Sequence, residues 1–279
     1  MSHIQVEHDG AVAILTIARR ERMNSLDIET ARDLRKAGLA LARDRAVRAV
    51  VLRGDGGVFC SGADLKYIRA GGTQQDLDYL VAGGAPVGGK GYGALFKAIL
   101  EYLHSTISEI RRAPKPFIAA VDGAAAAGGL GLAMACDLVV ASERSTFEWA
   151  YFKTGLSGAE STTFLLPRLV GLRKALELAM IGPRLSARDA LGVGLISAVH
   201  PDALLDAEAR ALAHRLAAGP TEAMAVAKNL MNAAAGMDRL DVHLDRELEE
   251  LARIADGADF AEGLDAFFAK RPAAFGGPG

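Results

Sequence analysis

The apolar positions change period several times along the chain, and each change marks an element. Ile4 to Glu7 alternates, Val12 to Ile17 is almost wholly apolar, and His8-Asp9-Gly10 lies between them, a pattern that predicts a β-hairpin. Asp27 offers an N-cap to a helix reaching about Arg43, with Leu34, Leu39 and Leu41 on part of its apolar face. Val47 to Leu52 is apolar and β-branched apart from Arg48, as in a strand covered on both faces. Gly71 to Gly93 is rich in Gly and Pro with weak periodicity, and predicts a loop over one face of the kind that covers a ligand. An amphipathic helix from Ala94 to about Arg112 is stopped by Pro114 and Pro116.

Phe117 to Val121 reads as a buried strand, Asp122-Gly123 breaks it, and a helix begins near Gly128. Leu138 to Ala141 and Thr146 to Glu148 are short strands, and Gly155 to Ser161 is a turn entering a helix around Phe164 to Val170. From Arg173 onward the pattern is helical: Arg173 to Ile181, Ala187 to Val193, Leu204 to Ala218, Thr221 to Ala235, Leu240 to Ala255 and Ala258 to Phe268, with a last strand at Ser197 to His200. Alternating β and α units followed by consecutive helices predict an α/β core over residues 1–200 and a helical region over 201–279.

Composition narrows the function classes. A hydrophobic fraction of 51% with 24% charged residues is that of a soluble globular protein. A net charge of −2 provides no basic field for nucleic acid or an anionic membrane, although a local phosphate site is compatible with it. No apolar run is long enough to span a bilayer, and no signal-peptide pattern opens the sequence. Cys60 and Cys136 lack CxxC spacing, which argues against a disulfide framework or structural zinc and for a reducing cytoplasm.

Familiar motifs are absent. Gly129-Leu130-Gly131 begins like a dinucleotide fingerprint but has Met134 at the third small position, and no GxxxxGK[ST], HExxH or GxSxG occurs. No metal site is expected. The six histidines are scattered; for His104, mid-helix, packing is the stronger reading than catalysis.

What the chain does contain is two strand-to-helix junctions built from small residues. One is Arg53 to Leu65, the other Val121 to Asp137. A helix N-terminus presents unpaired N–H groups that suit an anionic oxygen, yet close helix-to-sheet packing selects the same small residues. Two such junctions together favour the first reading, because two backbone donors from separate loops make an oxyanion hole.

These loops and their order resemble the crotonase, or enoyl-CoA hydratase/isomerase, superfamily. Leu15 to Leu26, Phe59-Cys60-Ser61-Gly62-Ala63-Asp64-Leu65, Val121 to Asp137, Leu166 to Gly171 and Ala266 to Arg271 resemble its successive signatures, so the resemblance covers nearly the whole chain. It implies a crotonase-like α/β fold: a ββα-spiral core with a C-terminal α-helical trimerisation region, assembled as a homotrimer or dimer of trimers. It also implies an acyl-CoA substrate, with no cofactor besides the coenzyme A thioester. The backbone N–H groups of Ala63 and Gly128 would hold the thioester oxygen, with Ser61, Gly62, Asp64, Leu65 and Gly129 around them. Arg19, Arg20, Arg22 and Lys66 would lie near the CoA phosphates or adenine. A solvated charge cluster is the alternative for the arginines. Phe267 and Lys270 would complete a neighbouring copy's CoA site, and Asp64 reads as a helix cap rather than an acid.

The carboxylates depart from the family pattern. Where family hydratases carry their two Glu residues, this chain has Gly131 and Tyr151. The layout is most similar to that of phenylacetate-pathway ring isomerases, whose Asp in a Gly-Leu-x-Pro-Asp segment corresponds to Ala159; Glu160 follows immediately. Glu160 is therefore the candidate base, against a surface or N-cap role, and Tyr151 a candidate proton donor or ligand-shaping residue. Glu148 is expected to be paired or solvent-facing. One base suffices for double-bond isomerisation; a nonstandard hydratase, a CoA-ester or ring-ketone hydrolase and a non-catalytic acyl-CoA-binding protein are the alternatives.

Overall fold

A computed structural model of the chain describes residues 3–73 and 91–276; residues 74–90 of the expected Gly71–Gly93 loop lie outside the described residues. Strands β1 (Ile4–Asp9) and β2 (Val12–Ile17) form the predicted antiparallel hairpin. Asp27 caps helix α1 (Ile28–Arg43), its side chain accepting from the Thr30 N–H at 2.9 Å. Strand β3 (Ala49–Gly54) lies parallel to β2. It starts and ends two residues later than the apolar run suggests, because pairing of Val12 with Ala49 and Ile17 with Gly54 sets its register. Helices α2 (Leu65–Arg69) and α3 (Tyr92–Arg112) lead to β4 (Phe117–Val121), parallel to β3.

There follow β5 (Ala124–Ala126), α4 (Gly128–Ala135), β6 (Leu138–Ser142), β7 (Thr146–Glu148), α5 (Thr162–Val170) and α6 (Leu172–Met180). Next come β8 (Leu185–Ser186), α7 (Ala187–Gly192) and β9 (Ala198–His200). The main sheet has the order β1-β2-β3-β4-β6-β9 and the second the order β5-β7-β8. The sequence pattern does not predict β5 or β8. Ala124-Ala125-Ala126 has little β-propensity and becomes a strand only by pairing with β7.

The C-terminal helices are α8 (Leu205–Ala218), α9 (Thr221–Ala234), α10 (Leu240–Ala255) and α11 (Ala258–Ala269). All six residues of β2 are buried because both sheet faces are covered. Leu205, Ala209, Ala213 and Ala217 recur every four residues on α8 and pack on Val12, Ile14, Val51, Ile118 and Val140. Leu15, Ile17, Leu52 and Val121 point the other way, into the larger core with α1 and α3. Among the described residues no helix is long and apolar enough to cross a membrane.

Candidate active site

The two small-residue junctions meet. The Asn24 amide donates to the carbonyls of Asp55 and Val58 at 2.9 and 2.6 Å, fixing the loop after β3. Leu26 then pairs with the next segment, its N–H donating to Gly62 and its carbonyl accepting from Asp64, both at 2.9 Å. Ser61 N–H donates to Met23 and Gly62 N–H to the Cys60 sulfur, which leaves the Ala63 N–H without an acceptor among the described residues. In the second junction Ala126 N–H donates to Cys60, and Ala127 N–H to Glu148. Ala127 adopts φ of 47°, a strained conformation for a residue with a Cβ, and α4 begins immediately after it. The Gly128 N–H, in the first turn, also has no acceptor among the described residues.

Packing and donor geometry turn out to be one property. A Cβ on Gly129 would stand 2.0 Å from the Cys60 carbonyl oxygen, and one on Gly62 would stand 3.0 Å from the Gly128 nitrogen. Only glycine lets the two loops approach this closely, which brings Gly62 against the Gly128 nitrogen. Gly62 has φ of 88°, which glycine adopts without strain.

Asp64 anchors the first loop. Its carboxylate accepts from the N–H groups of Lys66 and Tyr67, capping α2, and pairs with Arg19 at 2.9 Å and Arg22 at 2.6 Å. Burial raises its proton affinity, but the hydrogen bonds and charges from Arg22, Tyr67 and Arg19 outweigh it and hold the carboxyl below its ordinary value. Arg19 is not available to a phosphate as the sequence suggests: it is buried, bound to Asp27 at 2.5 Å, to Asp64 and to the Ser25 carbonyl. Arg20 and Lys66 are exposed, Arg22 half-buried, Leu65 partly buried.

Glu160 lies against the second junction, deeply buried. Its Oε1 is 2.8 Å from where a Gly128 Cβ would be, which places the carboxylate beside the first residue of α4. The Tyr151 hydroxyl, also buried, donates to its Oε2 at 2.5 Å and lies 3.1 Å from the Ala159 carbonyl. Burial pushes the Glu160 carboxyl up to about 7; the Tyr151 hydrogen bond opposes this and the Glu247 charge adds to it. Burial and the Glu160 charge push the Tyr151 phenol well above its ordinary range, so it remains a donor.

Gly131 has no room for a side chain. A Cβ there would stand 2.2 Å from the Glu160 carbonyl oxygen and 2.8 Å from its Cβ. The backbone of residue 160 fills the space that a side chain at 131 needs, so a carboxylate arrives from one side or the other. Glu148, as expected, is paired: it binds Lys153, and Arg184 at 3.1 Å.

Two residues gain importance only in three dimensions. His104 on α3 accepts the Glu160 N–H at Nε2, 3.3 Å away. Glu247 on α10 accepts the N–H groups of Ser161 and Thr163 at 2.8 and 3.0 Å. The sequence carries a signal for Glu247: it falls in register with Leu240, Leu244 and Leu251, a carboxylate in an apolar stripe.

Phe267 and Lys270 are exposed near the end of α11 and do not join this cluster. That helix packs on its own chain: Arg69 of α2 pairs with Asp265 at 3.5 Å and lies over the Phe268 ring, which meets Phe267 edge-on.

Comparison with known proteins gives the family resemblance. Residues 7–82 and 92–278 match the family described as Enoyl-CoA hydratase/isomerase. The chain is 34% identical over 277 residues to the 1,2-epoxyphenylacetyl-CoA isomerase of Escherichia coli, covering 99% of this chain and 98% of that one. It is 30% identical to 4-chlorobenzoyl coenzyme A dehalogenase-2 of an Arthrobacter species, covering 96% and 91%. Among solved structures, an enoyl-CoA hydratase from Mycobacterium avium subsp. paratuberculosis superposes with a TM-score of 0.84 at 30% identity, covering 99% of each chain.

Proposed function

Because the chain belongs to the enoyl-CoA hydratase/isomerase family, whose reactions act on acyl-CoA thioesters, we propose that it isomerises a carbon–carbon double bond with Glu160 as its single base. The thioester oxygen accepts hydrogen bonds from the Ala63 and Gly128 N–H groups. Glu160 removes a proton from the α- or γ-carbon, the electron pair delocalises onto that oxygen as an enolate, and the same carboxyl returns the proton to the other carbon.

The observation that carries this reading is the Glu160 carboxylate lying against Gly128, while the backbone of residue 160 fills the space a Gly131 side chain would need. A carboxyl raised to about 7 suits both halves of the cycle, since it is basic enough to accept the proton and acidic enough to give it back. Tyr151 orients that carboxyl.

The test is a panel of enoyl-CoA thioesters assayed with the wild type and Glu160→Gln. Isomerised product, together with α-proton exchange into deuterated water that disappears in the variant, is the expected result. Hydrated product or free coenzyme A identifies a hydratase or hydrolase. Binding without exchange identifies a non-catalytic acyl-CoA-binding protein. Unchanged turnover in Glu160→Gln removes Glu160 as the base.

The proposal extends to assembly as a trimer or dimer of trimers in the cytoplasm. Supporting it are exposed apolar side chains on α6 and α9, including Leu172, Met180, Leu230 and Met231, and two buried, unpaired thiols at Cys60 and Cys136.

A further inference from the structure

The Glu160 carboxylate is aimed by a backbone that its own sequence does not favour. Glu160 and Ser161 are consecutive non-glycine residues with φ of 51° and 62°. Helix α5 starts directly after them, and Ser161, at its N-cap position, makes no side-chain capping bond. The donors of this turn go to two other helices. Glu247 Oε2 on α10 accepts the Ser161 N–H at 2.8 Å, and its Oε1 accepts both the Thr163 N–H at 3.0 Å and the Thr163 hydroxyl. His104 Nε2 on α3 accepts the Glu160 N–H and stands 3.8 Å from Glu247 Oε2.

We propose that Glu247 is the positioning residue for the Glu160 base: it caps α5 from another helix, fixes the left-handed turn, and sets the field in which Glu160 exchanges its proton. The inference rests on Glu160 acting as the base. Facing Glu247 are His104 from α3, His243 one turn earlier on α10 at 3.7 Å, and Thr163 from α5. Facing Glu160 are Tyr151, Cys60, His104 and Glu247 itself. Among the described residues the charge partners of Glu247 are these two imidazoles, with no Lys or Arg. Burial pushes both histidines down, His104 to about 4, so both are predominantly neutral at neutral pH; burial also pushes the Glu247 carboxyl up to about 7, so Glu247 and Glu160 ionise in the same window and each opposes the other's charge.

Glu247→Gln keeps the shape and removes the charge. Carbon NMR titration of labelled Glu carboxyls, with the Glu160 signal assigned by its loss in Glu160→Gln, reads the Glu160 midpoint without turnover. The midpoint is expected to fall in Glu247→Gln, by up to about one pH unit, because a neighbour that ionises in the same window opposes the Glu160 charge only in part. The kcat is expected to fall about tenfold with acyl-CoA affinity held within about twofold, the signature of a misaimed base rather than a damaged binding site. A Glu160 midpoint and a kcat both equal to wild type in the folded variant overturn the proposal. If Glu247→Gln fails to fold, Glu247→Asp carries the test: it keeps the charge but shortens the cap, so kcat falls while the Glu160 midpoint holds, and wild-type kcat overturns it. Failure of the base assignment is read separately, from unchanged turnover of Glu160→Gln.

Discussion

Replacing Tyr151 with Phe removes one hydroxyl from the interior and leaves the ring in place. The hydroxyl donates to Glu160 Oε2 at 2.5 Å, and it is the contact that most lowers a carboxyl otherwise driven up by burial. The Ala159 carbonyl, its other neighbour, keeps the Thr162 N–H and hydroxyl at 3.0 and 2.7 Å, so the turn remains satisfied. A hydrogen bond to a charged group is worth about 1.5–3 kcal/mol, which corresponds to roughly 1–2 pH units of carboxyl titration. Starting from about 7, Glu160 therefore rises in Tyr151→Phe, and the ionised fraction near neutrality drops. The acid limb of kcat/KM should move up by about 1–2 units, with a loss of roughly 5- to 50-fold near pH 7 that is recovered in alkaline buffer. A pH–rate profile across the stable range measures both. An equal loss at every pH refutes the reasoning, because it means that the hydroxyl acts on substrate rather than on the Glu160 proton.

Two further outcomes follow from the same site. Gly131→Ala puts a methyl 2.2 Å from the Glu160 carbonyl oxygen, so backbone must shift; about 1–3 kcal/mol of stability should be lost in urea unfolding, and turnover should fall as Glu160 moves. Glu160→Gln should stabilise the protein: a carboxyl raised from 4.5 to about 7 on folding opposes the folded state once it ionises. The gain should be absent below the unfolded value, grow through the window between the two, and reach on the order of 3 kcal/mol above the upper one. Thermal unfolding of both proteins across that window checks it, and a constant difference in Tm at all pH values contradicts it.

The site shows how one substitution pattern reorganises a pocket. Gly131 and Glu160 are coupled sterically, since the residue that approaches α4 leaves no volume for a side chain on it. The mixed role of the glycines has the same origin. Gly62 and Gly129 let two loops approach closely, and Gly128 leaves room for the Glu160 carboxylate.

The sequence by itself determined most of the framework. Periodicity carried the hairpin, the parallel strands, the capped α1 and the helical C-terminal region, because a chain that buries one helix face or both strand faces writes that burial into its apolar spacing. It also carried the paired small-residue junctions, since glycine requirements are local properties, whereas Glu160 stood out only through the family resemblance. Tertiary structure decided what depends on register and on approach between distant segments. It turned Arg19 inward to Asp27 and Asp64, made Ala124–Ala126 a strand, and aimed Glu160 at Gly128 through a left-handed turn held by His104 and Glu247. Residue spacing records which face a side chain occupies; it does not record which side chain from another helix waits there.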